Sequence, residues 1–397
     1  MRVLVINSGS SSIKYQLINM EDESVLAVGL VERIGIDGSR LEQEVDGEEF
    51  EIETEIPNHE VGMELVIDTL TDEDNGVIAS VDEIDAIGHR VVHGGEYFEG
   101  SVIVDEDVKD KIQDSAKLAP LHNPPNLMGV EVCEELIPDV PQVVTFDTAF
   151  HQSIPEKSYM YALPYEYYED YALRRYGFHG TSHKFVAQCA AEEMGEDIED
   201  LKIITCHLGN GGSVTAVKNG QSYDTSMGLT PLEGLVMGTR CGDLDPAAVP
   251  FLMEAEDLSP QEMDDIMNNE SGLLGVSGIS SDMRDIEAAA EEGKKQAEIA
   301  YDMFVYRVKK YIGSYAAAMN GVDAVVFTAG IGENGIGIRE DICEDLDYLG
   351  IELEAEKNDV RGVTQEISTA ESDVKLYTIP TNEELVIARD TKELVAE

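Results

Sequence analysis

The sequence is poor in positive charge. Its 397 residues include 27 Lys and Arg against 81 Asp and Glu, which gives a formal net charge of −54 at pH 7. Acidic residues occur along the whole chain and apolar runs recur between them, so neither an acidic tail nor disorder explains the excess. A surface this acidic repels nucleic acid and anionic membranes, and we expect neither as a partner. It is typical of a protein from a high-salt cytoplasm, where a Debye length of about 3 Å screens the repulsion.

The sequence also lacks the marks of an exported or membrane protein. No charged-then-apolar leader opens it, and no apolar run approaches the roughly 18 residues that a bilayer span needs. No Cys-x-x-Cys pair occurs, and isolated cysteines are typical of reduced thiols in a cytosolic protein. The cysteines are Cys133, Cys189, Cys206, Cys241 and Cys343. We therefore predict a cytoplasmic location.

A Walker A loop, Gly-x-x-x-x-Gly-Lys-Ser/Thr, is absent as well. In its place, residues 207–213 put Gly209, Gly211 and Gly212 between two β-prone runs. This pattern predicts a β-hairpin in which the absence of Cβ atoms lets backbone N–H groups approach an anion. Taken alone, the turn is also explained by a plain Asn-Gly hairpin without a ligand. A second copy at residues 3–17, with Lys14 just past the turn, favours an internally duplicated fold that closes on a nucleotide.

The order of elements predicts an α/β protein of two domains. Strands come first, then strands alternate with helices, and a second such series starts near residue 150. We place the first domain at residues 1–149, completed by a C-terminal helix at 385–397, and the second at 150–384. Helices are predicted at 58–72, 105–118, 127–136, 183–194 and 285–320, strands at 86–95, 142–146, 324–328 and 374–379, a hairpin at 203–217 and a proline loop at 119–126.

Two arginines and one aspartate stand in unusual surroundings. Arg90 lies in the apolar strand 86–95, and Arg240 lies in a glycine-flanked loop. A buried guanidinium needs an anion, which is either an internal carboxylate or a substrate. Asp147 ends the strand 142–146, at the sheet edge where ligands gather in α/β proteins.

Four of the eight histidines form two pairs, each with a spacing of four residues. His89 and His93 lie on one predicted strand, and His179 and His183 flank a predicted helix start. Either pair could bind zinc, but no third ligand has metal-site spacing nearby, so a structural or catalytic use is favoured. Thr181 and Ser182 would cap the helix, and its positive end together with His179 would favour a negative group.

Residues 330–335 match the dinucleotide pattern Gly-x-Gly-x-x-Gly after a strand. The motif lies near the end of the chain, however, and puts Glu333 and Asn334 where a pyrophosphate would bind. We therefore expect a loop that lies against adenosine, and keep an NAD-dependent dehydrogenase only as an alternative.

Six motifs together resemble those of the acetokinase (acetate kinase) family. They follow the family's order from one end of the chain to the other, which makes the resemblance specific. The motifs are Asn-Ser-Gly-Ser-Ser-Ser at 7–12, Gly-His-Arg-Val-Val-His-Gly-Gly at 88–95, Phe-Asp-Thr-Ala-Phe-His at 146–151, Gly-Phe-His-Gly-Thr-Ser-His at 177–183, His-Leu-Gly-Asn-Gly-Gly at 207–212 and Thr-Asn-Glu-Glu-Leu at 381–385.

The resemblance implies a fold, a reaction and a set of ligands. The fold would be two duplicated ribonuclease H-like domains, as in actin, sugar kinases and Hsc70, with mixed sheets flanked by helices and an active site in the interdomain cleft. The reaction would be reversible, Mg²⁺-dependent phosphoryl transfer between ATP and acetate, giving ADP and acetyl phosphate, with Mn²⁺ as a substitute metal. The family resemblance also implies a homodimer.

The resemblance assigns roles residue by residue. Asn7 and Glu383 would hold Mg²⁺, and Lys14 would reach the nucleotide phosphates. Arg90 would bind the substrate carboxylate, Asp147 would be the proton donor or acceptor, and His179 and Arg240 would stabilise the transition state. The acetate methyl pocket would consist of Val92, Leu121, Phe178 and Pro231, beside His122. The nucleotide would contact His207, Leu208, Gly209, Asn210, Gly211, Asp282, Met283, Arg284, Gly330, Ile331, Gly332, Glu333 and Asn334.

Elementary chemistry supports these roles. In-line phosphoryl transfer spreads negative charge over equatorial oxygens, which fixed cations such as Arg90 and Arg240 stabilise. A carboxylate nucleophile is already ionised at pH 7, so we interpret Asp147 as orienting Mg²⁺ or its water rather than as an obligatory base. Two further alternatives remain: a propionate or butyrate kinase, and a non-catalytic ATP-binding protein.

Overall fold

The computed structural model describes residues 1–396 and divides the chain into two compact units. One comprises Met1–Gln152 and the C-terminal segment from Asn382, and the other comprises Ser153–Thr381. Each contains one mixed sheet flanked by helices, which confirms the predicted α/β class. No helix within residues 1–396 has the length and the apolar character to cross a membrane.

The first unit is built on an eight-stranded sheet with the order β5-β4-β3-β2-β1-β6-β8-β7. Its strands are β1 (Arg2–Ser8), β2 (Ser12–Asn19), β3 (Ser24–Glu32), β4 (Arg40–Val45), β5 (Glu48–Glu53), β6 (Ala86–Val91), β7 (Val102–Ile103) and β8 (Gln142–Phe146). Numbered along the whole chain, its helices are α1 (His59–Leu70), α2 (Glu106–Ser115), α3 (Asn123–Leu136) and α15 (Glu383–Ala396).

The second unit is built on a six-stranded sheet with the order β11-β10-β9-β12-β14-β13. Its strands are β9 (Lys202–Leu208), β10 (Gly212–Lys218), β11 (Gln221–Thr225), β12 (Ala324–Thr328), β13 (Gln365–Glu366) and β14 (Lys375–Thr378). Its helices are α4 (Glu156–Tyr159), α5 (Glu166–Tyr171), α6 (Gly180–Met194), α7 (Ala248–Glu256), α8 (Pro260–Asn269), α9 (Gly272–Ser277), α10 (Met283–Glu291), α11 (Lys295–Met319), α12 (Ala329–Asn334), α13 (Ile336–Cys343) and α14 (Ala355–Asn358).

The two sheets repeat one topology. The run β3-β2-β1-β6-β8 in the first unit corresponds to β11-β10-β9-β12-β14 in the second. In both, an antiparallel hairpin is followed by a parallel neighbour on its other side: β1 pairs with β2 and β6, and β9 pairs with β10 and β12. The duplication predicted from the two glycine- and serine-rich turns is therefore present in the strand order.

The core of the first unit follows the alternation of side chains along its strands. Leu4 and Ile6 of β1 belong to one buried cluster with residues of α1 and α3, while Val3 and Val5 face a second cluster with α15. Full burial of each such side chain contributes about 1.5–3 kcal/mol. A Cβ at Gly88 of β6 would lie 2.6 Å from Ile387, so the C-terminal helix packs directly on the strand backbone.

Three predicted loops or strands differ from the structure. The prolines at 124 and 125 do not keep residues 119–126 in a loop, because α3 begins at Asn123 and both prolines occupy its first turn, where no N–H needs a partner. Strand β6 ends at Val91, so His93 does not share a strand face with His89. Residues 329–334 form helix α12 rather than a loop.

Two predicted helices also have different bounds. The stretch 285–320 is two helices, α10 and α11, separated at Gly293, whose φ of +79° breaks the helical path. Helix α6 begins at Gly180, with His179 as its N-cap residue. Thr181 and Ser182 therefore lie inside its first turn and do not cap it.

Candidate active site

Arg90 and Asp147 form a two-bond ion pair at one edge of the first sheet. Strands β6 and β8 run parallel, with Val91 opposite Phe146, so that residues near their carboxyl ends meet. The Arg90 Nε–H donates to Asp147 Oδ1 at 2.9 Å, and Nη2–H donates to Oδ2 at 2.6 Å. The carboxylate is buried and raises the pKa of Arg90 above its ordinary value, against the effect of desolvation. The internal ion pair that the sequence left open is therefore present.

The ion pair uses Nε and Nη2 of the Arg90 guanidinium. The second terminal nitrogen, Nη1, is not bonded to Asp147. Arg90 Nη1 lies 3.4 Å from Asn7 Oδ1, at the end of β1. Nε–H and one Nη2–H are committed to Asp147, and the fork geometry of the guanidinium then fixes where its remaining hydrogens point. Asp147 thus orients Arg90 while Nη1 keeps donors for an added anion.

Glu383, at the start of α15, lies near two other carboxyl groups, those of Asp147 and Glu384. Burial raises the pKa of its carboxyl group to about 7, with Arg90 lowering it and Asp147 and Glu384 raising it further. Oxygen ligands and excess negative charge fit a hard divalent cation, and Mg²⁺ needs few protein ligands because it keeps several waters. The donor set of Asn7 and Glu383 therefore fits the predicted metal.

A cavity of about 570 Å³ in the first unit connects these residues. Its lining includes Asn7, Lys14, Arg90, Glu383 and Glu384, and it continues over strands β2 to β5. Asn7 and Lys14 are directly opposite each other in the β1–β2 hairpin. The structure thus brings together four of the predicted site residues on one cavity wall.

The segment after β6 is tied to α3 by two asparagines that the sequence analysis did not single out. Asn126 Oδ1 accepts the N–H of Val92 at 3.0 Å, and its Nδ2 donates to Ser8 O at 2.7 Å. Asn123 bonds both the N–H and the C=O of His93. Both asparagines are buried, and they hold Val92 and the β1 turn in place. The signal available in the sequence was the pair of asparagines on either side of two prolines.

Two more predicted residues of the first unit lie directly before α3, and a third follows β6. His122 is the residue before α3, and Leu121 precedes it with 76% of its surface exposed. Val92 is buried. Leu121 therefore has apolar surface that a ligand would cover, whereas Val92 is already packed.

In the second unit, His179 and His207 stack beside the β9–β10 turn. Their ring centroids are 4.1 Å apart at an angle of 15°. Ser182 Oγ lies 2.8 Å from His207 Nδ1, which holds the second ring against the first turn of α6. His179 has a left-handed backbone with φ of +56°, and this conformation directs the chain from buried Phe178 into the helix. No group of three or more His, Cys, Asp or Glu side chains among residues 1–396 is placed to hold a metal ion.

Arg240 lies over the glycine turn without a carboxylate partner among residues 1–396. Its Nη1–H donates to Pro231 O at 3.1 Å. A Cβ at Gly211 would lie 3.3 Å from the same nitrogen, so the absent side chain lets the guanidinium approach the turn. Desolvation lowers the pKa of Arg240 from its usual value. The contacts of its guanidinium are thus with carbonyl and sulfur atoms, which leave its charge without an opposite charge beside it.

The loop that carries Arg240 is docked on the same turn. Gly238 N–H donates to Asn210 O at 2.9 Å, and a Cβ at Gly238 would overlap Asn210 Oδ1 and lie 3.1 Å from Ser281 O. The segment before α10 is therefore a neighbour of Asn210 as well. Asp282 caps α10 and pairs with exposed Arg284, which lowers the Asp282 pKa to about 2, while Met283 is buried.

Helix α12 completes the group of predicted nucleotide residues. Strand β12 pairs with β9, with Thr328 opposite His207, so residues 330–334 begin beside residues 207–211. A Cβ at Gly332 would lie 3.2 Å from the Phe327 backbone, which shows how closely α12 folds back on its strand. Glu333 accepts the N–H of Thr381 at 3.1 Å, so its carboxylate tethers the segment that leads to Glu383.

The chain matches known proteins over its full length. The sequence model of the Acetokinase family matches residues 2–389. The acetate kinase of Halothermothrix orenii is 61% identical over 396 residues, which cover 100% of both chains. The crystal structure of Porphyromonas gingivalis acetate kinase superposes with a TM-score of 0.97 at 48% identity over 99% of each chain. A propionate kinase from Francisella tularensis gives 0.92 at 41% identity, again over 99% of each chain. The chain therefore belongs to the acetokinase family.

Proposed function

We propose that the protein catalyses reversible phosphoryl transfer from ATP to acetate, giving ADP and acetyl phosphate. The observation that carries the proposal is Arg240, a half-buried cation without a carboxylate partner, placed over the glycine turn at residues 209–211. Membership of the acetokinase family supports the same reaction. A protein that only bound a nucleotide would need no such set of cations.

We propose direct in-line transfer, in which Arg90 binds the acetate carboxylate and Arg240 and His179 stabilise the transferring group. The transition state gathers negative charge on equatorial oxygens and makes little covalent demand on the protein. Acetate is already ionised at pH 7, so no base is required. Asp147, with both oxygens on Arg90, serves to orient that arginine and the metal or its water.

The metal would be Mg²⁺ held by Asn7 and Glu383, with Mn²⁺ as a substitute. When bound, it would neutralise charge on the nucleotide phosphates. Lys14, opposite Asn7 in the hairpin, would reach toward the same phosphates. The excess of acidic over basic groups around Glu383 supports a cation there.

The nucleotide would lie on the segments 207–211, 282–284 and 330–334. Gly238 lies against both Asn210 and Ser281, and Ala329 lies near Gly209, which supports this grouping. The acetate methyl group would contact Val92, Leu121, Phe178 and Pro231, beside His122. The exposed Leu121 supports this, since its side chain would lose water contact when a ligand binds.

Propionate is the second candidate acceptor, because the propionate kinase of Francisella tularensis shares the fold closely. One extra methylene changes selectivity by only about 1–3 kcal/mol. A hydroxamate assay with ATP, Mg²⁺ and acetate, propionate or butyrate in molar KCl tests both possibilities. We expect kcat/KM to be highest for acetate. A higher value for propionate would reassign the acceptor, and no acyl phosphate from any of the acids would reject the proposed function.

A further inference from the structure

Residues 234–243, called the Arg240 loop below, are closed at their base by a reciprocal pair of hydrogen bonds. The N–H of Asp243 donates to the carbonyl oxygen of Gly234 at 3.0 Å. The N–H of Gly234 donates in turn to Oδ1 of the Asp243 side chain at 2.9 Å. Just inside the base the two segments approach closely, since a Cβ at Gly242 would overlap the carbonyl oxygen of Leu235. The first and last residues of the loop are therefore fixed to each other.

Helix α11 holds this base from outside the loop. Arg307 and Tyr311 are four residues apart, so one face of the helix presents both. Tyr311 OH donates to Asp243 Oδ2 at 2.8 Å. Arg307 Nη1–H donates to Gly234 O at 2.8 Å and lies 3.3 Å from Asp243 Oδ2, while its Nη2–H donates to Asp243 O at 3.1 Å. Two side chains of one helix thus reach both ends of the loop.

The same helix packs against the hairpin that carries the glycine turn. Helix α11 is 25 residues long, and its buried residues include Val308 and Ile312. It contacts both β9 and β10. The base of the Arg240 loop and the turn over which Arg240 lies are therefore connected through α11.

The carboxylate of Asp243 serves the loop and α11 rather than the guanidinium of Arg240. Arg240 Nη1 contacts Pro231 O and Met237 Sδ. Desolvation, rather than any carboxylate, sets the direction in which the pKa of Arg240 is shifted. Loss of the Asp243 side chain would therefore change the position of Arg240 without removing a counter-charge from it.

The tip of the loop is bonded separately from its base. The carbonyl oxygen of Thr239 accepts the N–H of Ser271 at 2.9 Å, and Thr239 Oγ1 donates to Asn268 O at 2.8 Å. These bonds to the segment between α8 and α9 do not involve Asp243, so the loop should stay folded when that carboxylate is removed. Asp243 adds the closure of the segment that leads away from Arg240.

We propose that Asp243, held by Arg307 and Tyr311, is a positioning residue that keeps Arg240 where it stabilises the transferring phosphoryl group. This rests on the proposed function, in which Arg240 acts on that group. A small displacement of a fixed cation weakens its interaction with the charge that develops in the transition state. An interaction that is stronger in the transition state than in the ground state affects kcat more than KM.

The first test is a double-mutant cycle between Asp243 and Arg240 in the full-length protein. We expect Asp243→Ala to lower kcat about 10- to 100-fold while the KM values for acetate and ATP change less than about 3-fold. In the Arg240→Ala background, the same substitution should have almost no further effect on kcat. Equal losses in both backgrounds, or a normal kcat in Asp243→Ala, would overturn the proposal.

Three conservative variants separate positioning from a general loss of structure. Asp243→Asn keeps an oxygen for Gly234 N–H and an amide group for Tyr311, and should restore most of the kcat lost in Asp243→Ala. Tyr311→Phe removes one bond to the carboxylate and should lower kcat about 3- to 10-fold. Tyr301→Phe is its matched control on α11, because Tyr301 OH donates to Asp341 of α13 instead of the loop. It should keep the wild-type kcat.

Two results with these variants would contradict the positioning role. A loss in Tyr301→Phe equal to that in Tyr311→Phe would mean that any tyrosine–aspartate bond of α11 matters. A loss in Asp243→Asn as large as that in Asp243→Ala would mean that retained hydrogen bonds at the loop base do not support kcat.

The second test does not depend on activity. Hydrogen–deuterium exchange measures the protection of the amides of residues 234–243 in the folded proteins. We expect faster exchange in Asp243→Ala, or in Tyr311→Phe if Asp243→Ala fails to fold, and unchanged exchange in Tyr301→Phe. Unchanged exchange in the folded loop variant would overturn the proposal. An inactive wild-type protein whose loop exchanges faster in Asp243→Ala would instead reject the proposed function and leave the closure of the loop standing.

Discussion

The guanidinium of Arg90 and the carboxylate of Asp147 are joined by two hydrogen bonds of 2.9 and 2.6 Å. The carboxylate is almost inaccessible to water, whereas the arginine side chain keeps 24% of its surface exposed. The buried carboxylate of Asp147 thus holds the partly accessible guanidinium of Arg90 in place. In a protein of net charge −54, Arg90 is therefore held by one buried carboxylate rather than by mobile surface acids, and part of its side chain stays accessible.

We expect Arg90→Ala and Arg240→Ala each to lower turnover about 100-fold or more, because each removes a fixed cation from one of the reacting groups. Arg389→Ala is the matched control, since Arg389 pairs with Glu23 at the protein surface and is not one of the proposed site residues. The hydroxamate assay with acetate measures all three. Near-normal turnover in both site variants would show that neither arginine is needed for phosphoryl transfer.

The approach of Arg240 to Gly211 makes a smaller change informative. A Cβ at Gly211 would lie 3.3 Å from Arg240 Nη1, so Gly211→Ala should displace the guanidinium by a few tenths of an ångström and lower kcat about 10-fold. Gly337→Ala in α13 is the control, because a Cβ there meets no atom within 4 Å. If both variants kept full activity, the glycine would not be needed for the position of Arg240.

His89 gives a pH dependence of stability. The ring is 1% exposed and contacts Gln142 Oε1 at 2.6 Å, and burial lowers its pKa from 6.5 to about 4 despite that bond. Below pH 6.5 the unfolded chain therefore binds a proton that the folded chain does not. The stabilisation that is complete above pH 6.5 is lost as the pH falls toward 4, and the loss reaches roughly 2 kcal/mol at pH 5.

Urea unfolding at pH 7.5 and pH 5 in molar KCl measures this contribution. His89→Gln carries no titrating ring, so its free energy of unfolding should fall less between the two pH values than that of the wild type, by the same roughly 2 kcal/mol. Equal decreases in the two proteins would show that His89 does not titrate in this range.

The excess of negative charge predicts salt dependence. At molar salt the Debye length is about 3 Å, and mutual repulsion of the surface carboxylates is screened. We expect activity to fall, or the midpoint of thermal unfolding to decrease, when KCl is reduced below roughly 1 M. Activity and circular dichroism over a KCl series provide the measurement. Full activity and an unchanged midpoint in dilute buffer would contradict the expectation.

Local patterns in the sequence were sufficient for the hairpins and the central strands. The glycine turn at residues 209–211 and the apolar run of β12 are each encoded within a few neighbouring residues. The prolines at 124 and 125 misled the prediction, because a proline that excludes a helix interior is compatible with a first helical turn. Glycines at 330 and 332 suited both a loop and the short helix α12.

Tertiary contacts account for what the sequence analysis missed. Asn126 matters because it joins Val92 to Ser8, residues that are distant in the chain. Asp243 matters because it joins its loop to α11. Arg90 can pair with Asp147 because β6 and β8 lie side by side in a parallel register, which the sequence does not specify. None of these partners can be read from spacing alone.

The central claim is that this protein moves the γ-phosphoryl group of ATP directly onto a carboxylate. The most direct measurement is a ³¹P NMR time course of the full-length protein with ATP, acetate and Mg²⁺ in molar KCl. The account predicts that acetyl phosphate and ADP appear in equal amounts, and that Arg240→Ala slows both alike. ATP breakdown to inorganic phosphate without acetyl phosphate, or no ATP consumption by the folded protein, would contradict it.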